Sequence, residues 1–141
     1  MTISQCLLTS QPPCRSPLGN FNHFLNELEI LLEFVSRNLM RLIVCCDFNV
    51  NFSDDTPHRR SLISLLATFG LYGTVDFPTR IHNNSITKID NISVNSIKQN
   101  SINVYRWING LSDHDVQFLV LHDIKIRIDK IFFIHIEVLT N

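Results

Sequence analysis

Residues 42–49 read Leu-Ile-Val-Cys-Cys-Asp-Phe-Asn. An apolar run that ends abruptly in an acid and an amide is the signature of a buried strand passing into a loop. In an extended segment residues i and i+2 project to the same side, so Asp47 and Asn49 are expected to face one pocket. A second polar cluster, Ser112-Asp113-His114-Asp115, stands directly before the apolar run over 116–121. Both clusters therefore occupy strand–loop junctions, where α/β proteins keep their chemistry.

Between them lies a third element, residues 87–94, Thr-Lys-Ile-Asp-Asn-Ile-Ser-Val. A carboxylate among Ile and Val is costly to bury without a partner, and a histidine from a neighbouring strand suits it, so Asp90 is expected to pair with His114. The plainer reading of each motif is structural, because Asp and Asn side chains readily bond nearby backbone amides in turns. What favours chemistry is the conjunction of the three elements in this order. Phosphodiester hydrolysis requires a water to be oriented and deprotonated, the leaving oxygen to be protonated or bound to metal, and growing phosphate charge to be neutralised. Carboxylates, an amide and an imidazole can divide those tasks.

The surrounding pattern is αβαβ followed by strands. Asn20 can cap a helix whose Phe21, Phe24, Leu25, Leu28, Leu31, Leu32 and Val35 follow the 3.6-residue period. A strand is expected over 39–46. Thr56 and Pro57 then read as a cap and first-turn proline for a second helix carrying Leu62, Leu65, Leu66 and Phe69 and closed by Gly70. Further strands are expected near 73–76, 86–94, 102–105 and 116–121. The Asn- and Ser-rich stretch over 95–103 reads as a loop, and Ile124, Ile126 and Ile128, alternating with charged residues, read as a strand with one wet face.

Taken together, residues 15–121 resemble the C-terminal half of the endonuclease/exonuclease/phosphatase superfamily, and within it the endonuclease domain of LINE-type (non-LTR) retrotransposon polyproteins. The resemblance rests on Arg15-Ser16-Pro17, then Cys46-Asp47-Phe48-Asn49, Val75-Asp76-Phe77-Pro78-Thr79-Arg80, Ile89-Asp90-Asn91-Ile92 and Gly110-Leu111-Ser112-Asp113-His114-Asp115. It implies a partial four-layer α/β sandwich whose N-terminal half is missing. It also implies roles: Asp47 for the nucleophilic water or leaving-group proton, Asn49 to hold it and the phosphate, and Asp90 to orient the histidine. Asp113 would lie near the metal and His114 would contact the scissile phosphate. Mg2+ or Mn2+ as cofactor and DNA as partner follow from the resemblance alone.

The departures from the family pattern are specific. Cys46 stands where the family has glycine and Cys14 where it has an aromatic residue. Glu27, Glu29, Glu33 and Glu137 are the only glutamates, the first three in one helical pattern, so none is a stand-in for the family's metal-binding glutamate. Residues 1–14 and 122–141 carry no family match, the latter reading as a strand-bearing tail. Three readings stay open: a divalent-metal phosphodiesterase fragment that nicks DNA, inactive in isolation; a catalytically dead mobile-element remnant; or another superfamily phosphatase.

Composition narrows the field. Twelve basic and thirteen acidic residues give a net charge of −1, so the chain as a whole is not drawn to phosphate backbones. Arg59, Arg60, Arg80, Lys88 and Arg106 lie near the motifs, and Tyr105 and Trp107 are the one aromatic pair suited to base stacking. Cys6, Cys14, Cys45 and Cys46 lack zinc-site spacing and fit reduced thiols in an intracellular protein, the nucleus being one candidate location. Residues 131–136 are too short an apolar run to span a bilayer, so no membrane role is expected. An open sheet face, where a missing half would pack, is expected to promote association.

Overall fold

The structure, a computed structural model, describes residues 6–7, 18–37, 41–95, 97–108, 110–122 and 131–134, the first and last of these segments as strand backbone. Arg15-Ser16-Pro17, Cys14, Leu39, Met40, Glu137 and the alternating Ile124, Ile126 and Ile128 lie outside these residues.

Helix α1 (Phe21–Ser36) begins where Asn20 Oδ1 accepts the His23 amide at 3.0 Å, and buries Phe21, Phe24, Leu28, Leu32 and Val35 on one stripe. Helix α2 (Pro57–Thr68) begins in the same way, with Thr56 Oγ1 accepting the Arg59 amide at 3.2 Å. It ends in a Schellman turn: the Leu71 and Gly70 amides donate to the Leu66 and Ala67 carbonyls, with Gly70 at φ +69°. Both helices were legible from caps and period.

Strand β1 (Cys6–Leu7) precedes α1, and β2 (Arg41–Asp47) follows it; after α2 come β3 (Tyr72–Gly73), β4 (Arg80–His82), β5 (Ser85–Thr87), β6 (Asp90–Val94), β7 (Ile102–Trp107), β8 (Val116–Leu121) and β9 (Ile131–Ile134). The strands form a four-stranded mixed sheet in the order β3-β6-β2-β9, a three-stranded sheet β1-β8-β7 and a β4-β5 hairpin. α1 and α2 cover one face of the larger sheet, where Leu42, Val44 and Cys46 meet the helices' apolar stripes. Its other face, through Ile43, Cys45, Ile92 and Val94, packs on Leu119 and Leu121 of the smaller sheet. The described residues thus make three layers, helix, sheet and sheet; the second helical layer of a four-layer sandwich is not among them. Adjacent Cys45 and Cys46 point into different cores, as the strand period requires, and both are buried outside any disulfide.

Local differences from the sequence expectation have physical causes. The strand expected over 39–46 includes Asp47, because Asp47 pairs across the ladder with Asp90. The expected run over 86–94 is two strands, broken at Lys88 and Ile89 where the chain turns from the hairpin into the sheet. The strand near 73–76 is confined to Tyr72–Gly73, since Thr74 Oγ1 bonds the Ile92 carbonyl and the Val75 amide turns to the Asn91 side chain. Hairpin strand β4 had no sequence signal, and the loop over 95–103 contains a 3-10 turn at Gln99–Ser101.

Phe48, fully buried, contacts Phe24 and Phe52 edge to face and wedges the loop after β2 against α1. Phe48→Ala is expected to cost about 3–5 kcal/mol, read by chemical denaturation; a loss below about 1 kcal/mol would mean the loop is not anchored this way.

Candidate active site

The ladder between β2 and β6 runs antiparallel from Ile43↔Val94 to Asp47↔Asp90. It therefore ends with two carboxylates directly opposite each other, an arrangement that repels unless something compensates. Compensation comes from a third segment. His114 forms an isolated antiparallel bridge with Arg80, and its Nδ1 lies 3.0 Å from Asp90 Oδ2. One ligand atom each from Asp47, Asp90 and His114 falls within 4.8 Å of the others.

Electrostatics follow from this geometry. Burial, then the Asp90 charge, pushes the Asp47 carboxyl up to about 6 from its ordinary 3.8, against the pull of the Asn49 amide, His114 and Arg80. The hydrogen bond to Asp90 raises His114 above its ordinary 6.5, against desolvation and with help from the charges of Asp90, Asp47 and Asp113. A carboxyl that exchanges its proton near neutral pH beside an imidazole biased toward its cation is an acid–base pair.

The backbone at Asn49 is not the extended one that the i, i+2 expectation presumes. The strand stops at Asp47, and Asn49 takes φ +48°, a left-handed conformation that asparagine tolerates. Its backbone amide donates to Asp47 Oδ1 at 2.9 Å, closing a tight turn around the carboxylate.

Asp113 is adjacent but outside the three-residue group. Its Oδ2 accepts Arg80 Nε–H at 2.7 Å and lies 3.5 Å from His82 Nδ1. The Arg80 hydrogen bond holds its carboxyl below the ordinary range. The other arginines near the motifs are also engaged: Arg106 Nε with Asp115 Oδ2 at 2.6 Å, and Arg59 and Arg60 with Asp55. Tyr105 and Trp107 remain exposed on alternate positions of β7, with the Trp107 ring stacked on Phe118 at 5.5 Å between centroids.

Sequence reasoning quoted Thr79 within the motif over 75–80 but gave it no role of its own. It is fully buried, its Oγ1 accepts the Ile89 and Asp90 amides at 3.1 Å each, and its carbonyl accepts the Asp115 amide at 2.8 Å. One residue thus ties the backbone of Asp90 to the segment that carries His114. A threonine between a proline and an arginine offers no such signal in one dimension.

Asp90→Asn is expected to lower the His114 midpoint in an NMR titration, because the ring loses a neighbouring negative charge; an unchanged midpoint would remove the case for the pair. A second expectation concerns stability. With a folded value of about 6 against 3.8 unfolded, Asp47 holds a proton that the unfolded chain has released, so stability falls as pH rises through that window. His114, also raised, contributes stability below its ordinary 6.5 that is lost as pH climbs through its folded value. Asp47→Asn should flatten the first fall and, after allowance for solvent screening, gain about 1 kcal/mol at neutral pH. A variant no more stable than the parent at neutral pH would contradict the buried, repelled carboxylate.

No protein-family model matches the chain, and no curated protein does. Among solved structures it is similar to the endonuclease domain of TRAS1, a telomere-specific non-LTR retrotransposon, with a TM-score of 0.62 at 15% identity. The match covers 79% of this chain and 55% of that one, so the chain spans about half the length of its structural neighbour. At that identity the likeness speaks for the fold alone: this chain has an endonuclease-like α/β fold.

Proposed function

We propose that this chain is part of a divalent-cation-dependent phosphodiesterase domain that cuts DNA, of the kind non-LTR retrotransposons carry. The observation that carries the reading is the convergence of Asp47, Asp90 and His114, contributed by β2, β6 and the segment before β8, at one end of the ladder. A purely structural pair of turns would have no reason to hold two half-buried carboxylates opposite each other.

The donor set suits a divalent cation. Asp47 and Asp90 offer hard oxygen ligands of the sort Mg2+ or Mn2+ takes, and their mutual repulsion is what a bound cation would relieve. When bound, the cation would neutralise charge growing on the phosphate. Asp47 accepts the proton of the attacking water, while the Asn49 backbone amide holds its carboxylate in place. Asp90 keeps the His114 ring in one orientation and favours its cationic form, which donates to a phosphate oxygen. The exposed Tyr105 and Trp107 favour a nucleic-acid substrate over the lipid or nucleotide substrates of a phosphatase.

Glu27, Glu29 and Glu33 sit exposed on α1, within the helical layer. With His114 kept for the phosphate, the metal donors among the described residues are therefore the two carboxylates Asp47 and Asp90, and the 141-residue chain by itself is inactive in this reading.

Incubated with supercoiled plasmid and Mg2+, the chain is expected to leave the DNA unnicked, yet substoichiometric Mn2+ should broaden the NMR signals of Asp47, Asp90 and His114 before others. Nicking abolished both by EDTA and by Asp47→Ala would show these residues to suffice. Broadening confined to other surfaces would sink the cation site.

A further inference from the structure

A phosphodiester reaching this site meets three carboxylates, Asp47, Asp90 and Asp113, and needs cationic partners to approach them. His114 is one. Arg80 is the other described cation at this rim: its backbone bridges His114, and its Nε binds Asp113 Oδ2 at 2.7 Å. Its side chain is about one-third exposed, at 36%. With Nε committed to Asp113, no hydrogen bond among the described residues involves its two Nη groups. A guanidinium pinned at one nitrogen loses little further freedom when it binds an oxyanion, and its planar fork matches two phosphate oxygens.

We infer that Arg80 is the residue of this chain that clamps a substrate phosphate beside His114, and that Asp113 is its positioning residue. This rests on the phosphodiesterase reading and deepens it: the segment Thr79-Arg80 and the segment before β8 act as one unit, with backbone bonds from Ile81 to the Asp113 carbonyl and from Asp115 to the Thr79 carbonyl fixing their register. His82 Nδ1, 3.5 Å from the same Asp113 oxygen, faces the pair from the next position but one of β4. In this arrangement Asp113 serves the phosphate indirectly, through the arginine it orients, and does so whether or not a cation is bound.

The test uses the full chain, a fluorescein-labelled 12-base-pair DNA duplex as probe, and anisotropy measured in EDTA over a range of salt. Removing a phosphate contact is expected to weaken binding and to lower the dependence of log K on log salt by about one ion. Arg80→Ala should show both effects, whereas Arg60→Ala, on the outer helix, should change binding less than about twofold. Asp113→Ala is the discriminating variant. Deleting a negative charge beside a polyanion would ordinarily tighten binding, so a weakening comparable to that of Arg80→Ala marks Asp113 as the arginine's positioner. Arg80→Lys and Asp113→Asn, which conserve charge or shape, should fall between, and NMR of the β4–β8 amides confirms that each variant is folded. A duplex bound equally by the parent chain and folded Arg80→Ala overturns the clamp and leaves the phosphodiesterase reading standing, as does tighter binding by Asp113→Ala for the positioning role. A parent chain that binds no duplex at all overturns both.

Discussion

The register of β2 against β6 is the constraint on which the site depends. By ending the ladder at Asp47↔Asp90 it forces two acids face to face at the rim of a buried sheet. Nothing in a two-stranded arrangement offsets that repulsion. The fold answers with a third segment that delivers an imidazole to Asp90, while β4 brings the Arg80 guanidinium to that segment's Asp113. The acid–base properties of the cluster are consequences of this forced proximity and not of any one residue. A one-residue shift of β6 would turn Asp90 to the other face and take its charge away from Asp47, leaving burial alone to raise that carboxyl.

Thr79 makes the arrangement hold. Its hydroxyl takes two consecutive backbone amides that would otherwise be lost where the chain leaves the hairpin for the sheet, and its carbonyl takes a third from the His114 segment. Buried polar groups must be satisfied, and here one side chain satisfies the break in the strand and joins the two halves of the cluster. The hairpin between β4 and β5 is carried on this same junction, so its exposed Ile81 and Ile86 lie at the edge of the site.

Behind the rim, β2 is buried on both faces and divides two cores. Helices pack on Leu42, Val44 and Cys46, and the smaller sheet packs on Ile43 and Cys45. Phe48 continues the helical core one residue beyond the acid, which anchors the turn that Asn49 closes. Rigidity around Asp47 thus comes from apolar burial just inside it, while its chemistry comes from polar groups just outside.

The sequence by itself determined the helices, since caps and the 3.6-residue period are local, and it determined that Asp47, Asp90 and His114 lie at strand ends, because apolar runs stop there. It also carried the pairing of Asp90 with His114, since a carboxylate among Ile and Val needs a partner and few others were on offer. Only the tertiary structure decided which acids face each other, because cross-strand register depends on contacts far apart in the chain. The same is true of Thr79, whose hydrogen-bond partners are eight or more residues away, and of Asp113, whose carboxylate turns to Arg80 across 33 positions of sequence. For Asn49 the sequence could not supply the backbone: the i, i+2 rule presumes extended chain, and the chain leaves that conformation as soon as Phe48 is buried and the Asp47 carboxylate captures the Asn49 amide.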